Sequence, residues 1–208
     1  MKSKLLIISI MAVVAVIMYA CNSETGKENN TDTTTKASPT VMFGGYESQV
    51  AWGDHLVKVG GCNDCHTPKK MGPNGPEDDM TKMLSGHPAG TPPAPFDAKE
   101  AAKKGLIVTQ TFTAWTGPWG TTYAANITSD STGIGNWKED QFLKALKEKK
   151  WMGLDNTRPL MPPMSMMPAT LMTDDELKAI FAYLKSTPPI HNIQPEAVLL
   201  PPPPAPAK

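Results

Sequence analysis

The sequence predicts an all-α domain of about three to four helices whose long loops wrap something held inside the chain. Three observations lead there. Helical periodicity appears in well-separated segments, and no run of alternating strand residues and no internal repeat accompanies it. The segment from Pro68 to Asp130 is rich in Pro, Gly and Thr and reads mostly as loop, too long for a compact domain unless it encloses something. With 21 Pro, 16 Gly and only 7% aromatics in 208 residues, the chain has few bulky side chains for an ordinary core.

Each element has its own signal. From Tyr46 to Gly60, Val50, Trp52, Leu56 and Val59 fall roughly on one side, and Gly60-Gly61 stops the helix. A short helix is expected over Ala98–Lys104. The stretch 136–150, "NWKEDQFLKALKEKK", places Phe142, Leu143 and Leu146 on one stripe and keeps its lysines wet. The last helix is the clearest. Thr173 and Glu176 form a capping box, Leu177, Ile180, Phe181 and Leu184 follow at i, i+3, i+4 and i+7, and Pro188-Pro189 ends it.

The N-terminus reads as a targeting segment. Lys2 and Lys4 precede an apolar stretch from Leu5 to Met18 broken only by Ser9, followed by "YAC". That is a secretory signal in form rather than a spanning helix. The ending "IMYAC" resembles a bacterial lipobox, which would make Cys21 the lipidated first residue and hold the chain to a membrane of the cell envelope, with the domain on the periplasmic or extracytoplasmic side. Residues 1–20 are thus expected as a lipoprotein signal peptide and 21–45 as a lipid-anchored flexible tether of polar low complexity. Residues 190–208, ending "PPPPAPAK", are expected as a Pro-rich C-terminal tail. Lys+Arg and Asp+Glu balance at 20 each, so no charge field points to nucleic acid.

Setting Cys21 aside leaves Cys62 and Cys65, which with His66 make "CNDCH". A structural zinc site needs two further ligands, yet there is no second C-x-x-C, and His55, His87 and His191 are scattered. A redox disulfide of the thioredoxin kind needs a βαβ context, which is missing. C-x-x-C-H is the attachment signature of c-type haem. The thiols lie about a turn apart, suited to the two vinyl groups of one porphyrin edge, and the next imidazole projects toward the iron. Export matches, because such attachment takes place outside the cytoplasm.

"GDHLVKVGGCNDCHTP", "YAANITSDSTGIGNWKEDQFLKALKEKK" and "RPLMPPMSMMPATLMTDDELKAIFAYLKSTPP" together resemble bacterial monohaem cytochromes c, in particular the haem domains of cytochrome c subunits of membrane-bound dehydrogenases. The resemblance covers roughly 46–189 and implies a cytochrome c fold with one covalently attached haem c. That subunit family often carries several C-x-x-C-H motifs where this chain has one. The family commonly has Ser or Thr at the position of Lys138, so the helix cap is expected at Asn136, with Glu139 three residues on.

In the resembling family the second axial ligand follows a proline-rich turn, nine residues before the cap of the last helix. Counted from Thr173, this is Met164, directly after Pro162 and Pro163. The prolines fix φ and hold the loop extended. Met161 and Met167 are the next candidates, the other methionines read as soft packing, and His87 as a distal ligand has no motif behind it. The resemblance also implies that Trp119, Tyr123, Asn126 and Ile127 line the haem near its propionates. Arg158 is a candidate propionate partner. Gly53 is expected to permit close crossing with Phe181 or Tyr183 of the last helix. Lys147, Lys149 and Lys150 read as a solvated helix end, with steering of an acidic partner patch as the alternative.

A His/Met pair fills both axial sites and raises the reduction potential. The implied function is single-electron transfer in a respiratory or dehydrogenase-linked chain, as a tethered carrier or a subunit. The implied partners are redox proteins: a dehydrogenase, a quinol-oxidising complex or a terminal oxidase. Two other classes remain open on sequence, a peroxidase-like haem enzyme with an open iron site and a Met-rich copper-handling protein.

Overall fold

A computed structural model describes residues 42–201. The expectations on the signal peptide, most of the tether, Cys21 and the last seven residues lie outside them. The first helix, α1 (Gln49–Val59), starts where Ser48 accepts the Ala51 N–H at 3.1 Å and stops at Gly60, whose N–H returns to the Leu56 carbonyl at 2.8 Å. Gly61 then turns the chain through φ +65° and opens α2 (Cys62–His66). Two short strands, β1 (Lys69–Gly72) and β2 (Gly75–Asp78), form a hairpin next. Lys69 ties this hairpin back to α2, donating to the Asn63 carbonyl at 3.2 Å, the Thr67 carbonyl at 3.0 Å and Asp78.

The short helix α3 (Ala98–Lys104), of about two turns, is capped by Asp97 and released at Gly105. A second hairpin, β3 (Ala114–Gly117) with β4 (Gly120–Tyr123), turns on Pro118-Trp119. Helix α4 (Glu139–Lys147) and helix α5 (Asp174–Ser186) follow, the latter opened by the full Thr173–Glu176 capping box. Strand β5 (Val198–Leu199) closes the chain's description by pairing antiparallel with β4.

Helices α1, α4 and α5 share one core. Val57 and Leu177 are fully buried in it, with Leu56, Phe142, Ile180 and Leu184 around them. The rings of Phe142 and Phe181 stand 5.2 Å apart. The crossing of α1 and α5 is closest at Gly53, where an added Cβ would overlap the Ala179 carbonyl and lie 2.8 Å from the Tyr183 Cβ. The partner across from Gly53 is therefore Ala179 with Tyr183, and not Phe181.

Three expectations change. The all-α class gives way to a helical domain carrying two small sheets, one of two strands and one of three. The hairpins escaped notice because their strands are only four residues long and β1 and β2 show no buried face to create alternation. The cap of α4 sits at Lys138 rather than Asn136 and makes no side-chain hydrogen bond; Glu139 and Asp140 complement that helix end by charge, and Asp140 also accepts the Gln141 N–H at 2.9 Å. Finally, the chain stays packed on the domain past 189. Ile190, Asn192 and the β4–β5 ladder tie residues 190–200 to it, where a tail was expected from 190.

Candidate cofactor cavity

Cys62, Cys65 and His66 line one cavity together with Met164, and α2 presents the first three in a little over one turn. His66 is only 6% exposed, and its Nδ1 lies 2.7 Å from the Ala125 carbonyl. A carbonyl accepts only, so Nδ1 carries the proton and Nε2 is left as the ring's lone-pair donor. Burial pushes the imidazole's pKa down, which keeps it neutral and able to ligate. α2 is fixed in turn: Gly86 donates its N–H to the His66 carbonyl at 2.7 Å, and Thr67 Oγ1 accepts the Leu84 N–H at 3.0 Å.

Cys62 and Cys65 are both free thiols. Burial raises both, Cys62 to about 11, so the sulfurs are held as neutral S–H groups and not as thiolates. Among the described residues no three His, Cys, Asp or Glu side chains gather as a metal-binding group.

Met164 lies at the start of a 3₁₀ turn (Met164–Met166) after the cis Pro162–Pro163 bond, and Pro163 lines the cavity beside it. The loop is anchored from two sides. Thr122 donates its hydroxyl to the Pro162 carbonyl at 2.7 Å, and Lys149 donates to the Ser165 carbonyl. Met161 and Met167 share the cavity lining, while Met166 is 70% exposed. His87 does not reach the cavity. It is fully buried, with Nδ1 at 2.8 Å from Thr113 Oγ1 and Nε2 at 2.8 Å from the Thr91 carbonyl, so neither nitrogen is free. The lysines weighed as steering charges are engaged internally: Lys147 on Asp174 and the Met172 carbonyl, Lys149 on Ser165, Lys150 on Glu148 and Asp155.

Of the residues expected around the propionates, Tyr123, Asn126, Ile127 and Arg158 line the cavity and Trp119 does not. Trp119 occupies the β3–β4 turn, donating to Thr122 Oγ1 at 3.3 Å, and borders a separate cleft with Pro159 and Leu199. Its ring folds back over the turn, so close that a Cβ on Gly117 would lie 2.6 Å from it. The wall residue is Trp115, paired across the ladder with Thr122, and both face the cavity. The signal that finds it is the Gly117–Gly120 turn, which once recognised moves the wall to the strand position before it. Trp137 and Trp151 line the cavity as well, and no motif marked them.

Asn126 faces the cavity with its amide already engaged. Nδ2 donates to Thr132 Oγ1 at 3.0 Å and the Ile190 carbonyl at 2.8 Å, and Oδ1 accepts from the Thr128 N–H and hydroxyl. Its side chain shapes the loop rather than meeting a ligand. Two other donors are left wholly or partly unpaired, Arg158 spending one N–H on the Pro159 carbonyl at 3.1 Å. The indole N–H of Trp115 is buried and unbonded, and among the described residues no carboxylate pairs with Arg158, whose guanidinium stacks 4.0 Å over the Trp151 ring. Leu56, Phe142, Ile180 and Leu184 make the remaining wall apolar. Two thiols, one lone-pair imidazole, a thioether, an apolar interior, an unbonded indole N–H and a guanidinium with no carboxylate beside it suit a flat apolar group with anionic substituents. Haem c is such a group, and the residues fit it.

These features, with the comparisons that follow, define the class as an electron-transfer haem protein. The Cytochrome c family matches residues 50–188, and the chain belongs to that family. It is also 27% identical over 152 residues to the gluconate 2-dehydrogenase cytochrome c subunit of Pantoea cypripedii, across 73% of this chain and 25% of that protein. The chain therefore spans about a quarter of the length of that relative.

Proposed function

We propose that the protein is a membrane-tethered, monohaem c-type electron carrier in which Cys62 and Cys65 bind the haem, His66 is the first axial ligand and Met164 the second. The observation that carries this is the His66 Nδ1–H bond to Ala125 in a cavity shared by both thiols and Met164. When bound, the haem supplies a single site that gains or loses one electron. The chain's own part is to hold and tune it. Ala125 fixes the imidazole's tautomer and strengthens its basicity. The Pro162-Pro163 loop, pinned by Thr122 and Lys149, sets the thioether's position. Trp115 and Arg158 answer the propionates, and the apolar wall excludes water, which favours the reduced state.

Cys21 as lipid anchor, with the tether behind it, would keep the domain at the envelope membrane on the extracytoplasmic side. Donor and acceptor are proteins of the dehydrogenase, quinol-oxidising or terminal-oxidase classes. The relative named above supports a dehydrogenase-linked place, whether as free carrier or as subunit. Intact mass of the exported protein should show one haem added, lost in the C62S/C65S double variant. The parent's reduced iron should bind carbon monoxide slowly or not at all, and M164A should bind it readily. A parent that binds it as fast as M164A would mean an open iron and would favour the enzyme class. Retention of Cu(I) that vanishes in M164A while the haem spectrum stays unchanged would favour the copper class.

A further inference from the structure

The family match ends at 188, yet the chain stays on the domain for another dozen residues, held at Ile190, Asn192, Gln194 and Leu200 and by the β4–β5 pairing. Asn192 is the centre of this strap. Its Nδ2 donates to the Ser85 carbonyl at 2.7 Å and the His87 carbonyl at 2.8 Å, and its Oδ1 accepts the Ala89 N–H at 2.9 Å. Its own N–H goes to Thr132 Oγ1 at 3.1 Å. Asn192 thus holds the 85–89 loop through its side chain and the 126–132 loop through its main chain. The Ile190 carbonyl takes the Asn126 amide at 2.8 Å, and the Ile190 N–H reaches Thr128 Oγ1 at 3.3 Å. Further on, β5 extends the β3–β4 sheet, and the Leu200 N–H binds the Trp119 carbonyl at 2.9 Å. Between these anchorages Gln194 lines the cavity itself, its Oε1 3.5 Å from the Asn126 N–H.

We propose that residues 190–200 form a C-terminal strap that closes one side of the cofactor cavity, with Asn192 the residue that positions the strap and Gln194 the side chain that completes the wall. The alternative role for such a segment is a brace that stabilises the domain without touching the cofactor's surroundings. Gln194 separates the two, because a brace has no need to reach the cavity. The strap's effect is on solvent: water admitted at this side stabilises the more positive, oxidised iron and lowers the reduction potential.

This inference rests on the haem reading above. It is tested by spectroelectrochemical titration of the full-length haem-loaded protein and of its N192A and Q194A variants, with melting followed in parallel. N192A is expected to lower the potential by about 59 mV, a tenfold change in the one-electron equilibrium constant, and to speed reduction by a small neutral reductant. Q194A is expected to move both quantities the same way by less, with its melting temperature unchanged. Because the Gln194 side chain makes only one long hydrogen bond, Q194A keeps the proposal testable even if N192A does not fold. Potentials of Q194A, and of N192A where it folds, equal to the parent's would overturn the strap's role as cavity wall, whatever the melting curves show. A parent that carries no haem would overturn the cofactor reading itself, and the mass measurement detects that separately.

Discussion

Replacing Gly53 by alanine tests the helix crossing on which the whole cavity rests. In an ordinary helix interior this change stabilises, by about 0.5–1 kcal/mol, because alanine loses less backbone entropy than glycine. Here the new methyl would overlap the Ala179 carbonyl oxygen and sit 2.8 Å from the Tyr183 Cβ. The obstacle is backbone within α5, so no side chain can rotate to relieve it, and the two helices must separate. Overpacking of that kind costs about 1–3 kcal/mol. An overlap with backbone belongs at the upper end of that range, about 2–3 kcal/mol, so overpacking outweighs propensity and the net loss is about 1–2.5 kcal/mol. For a chain of 208 residues each kcal/mol moves the melting temperature by about 2–4 °C, so G53A should melt roughly 2–10 °C lower, read by circular dichroism on the haem-loaded protein. Leu56 on α1 and Ile180 and Leu184 on α5 are cavity wall, so the haem absorption should shift as well. A G53A protein that melts at or above the parent's temperature would refute the reasoning, since propensity would then have won and the crossing would have slack.

W115F deletes the unbonded indole N–H while keeping an aromatic wall; removing a donor from an anionic substituent favours the oxidised iron, so the potential should fall with little change in far-ultraviolet circular dichroism, and an unchanged potential would remove Trp115 from the propionate site. R158Q should act in the same direction by removing a cation that opposes ferric charge, and should do so less at high salt, whereas a rise in potential would assign Arg158 to Trp151 packing alone. His87 predicts a pH dependence. Burial holds its pKa below the ordinary 6.5, so below 6.5 the unfolded chain takes up the proton first. Stability should therefore be level above pH 6.5 and fall below it, by at most about 1.4 kcal/mol per pH unit from this one group. Urea midpoints between pH 7.5 and 5 measure that slope. The H87Q variant should lose most of it, and an equal slope in H87Q would assign the titration elsewhere.

What the sequence revealed and what it concealed divide along the range of the interactions. The α5 capping box is contained in four consecutive residues, and the C-x-x-C-H turn in five, so both were readable locally. The proline loop placed Met164 through a resemblance, and the structure brings that residue to the same cavity as His66. The hairpins were hidden because four-residue strands carry too little pattern, and with them the difference between Trp115 and Trp119, since a wall residue and a turn residue four positions apart look alike until the turn is known. The strap was hidden for the opposite reason. Asn192 and Gln194 look like any polar residues before a proline run, and their partners lie 60 to 107 positions away in sequence. A domain whose interior is mostly cofactor takes its specificity from such distant polar ties, because the apolar wall alone does not select one arrangement of its loops. That is why Asn126 engages its amide on its own loop and the strap, and leaves the donors Trp115 and Arg158 facing the cavity.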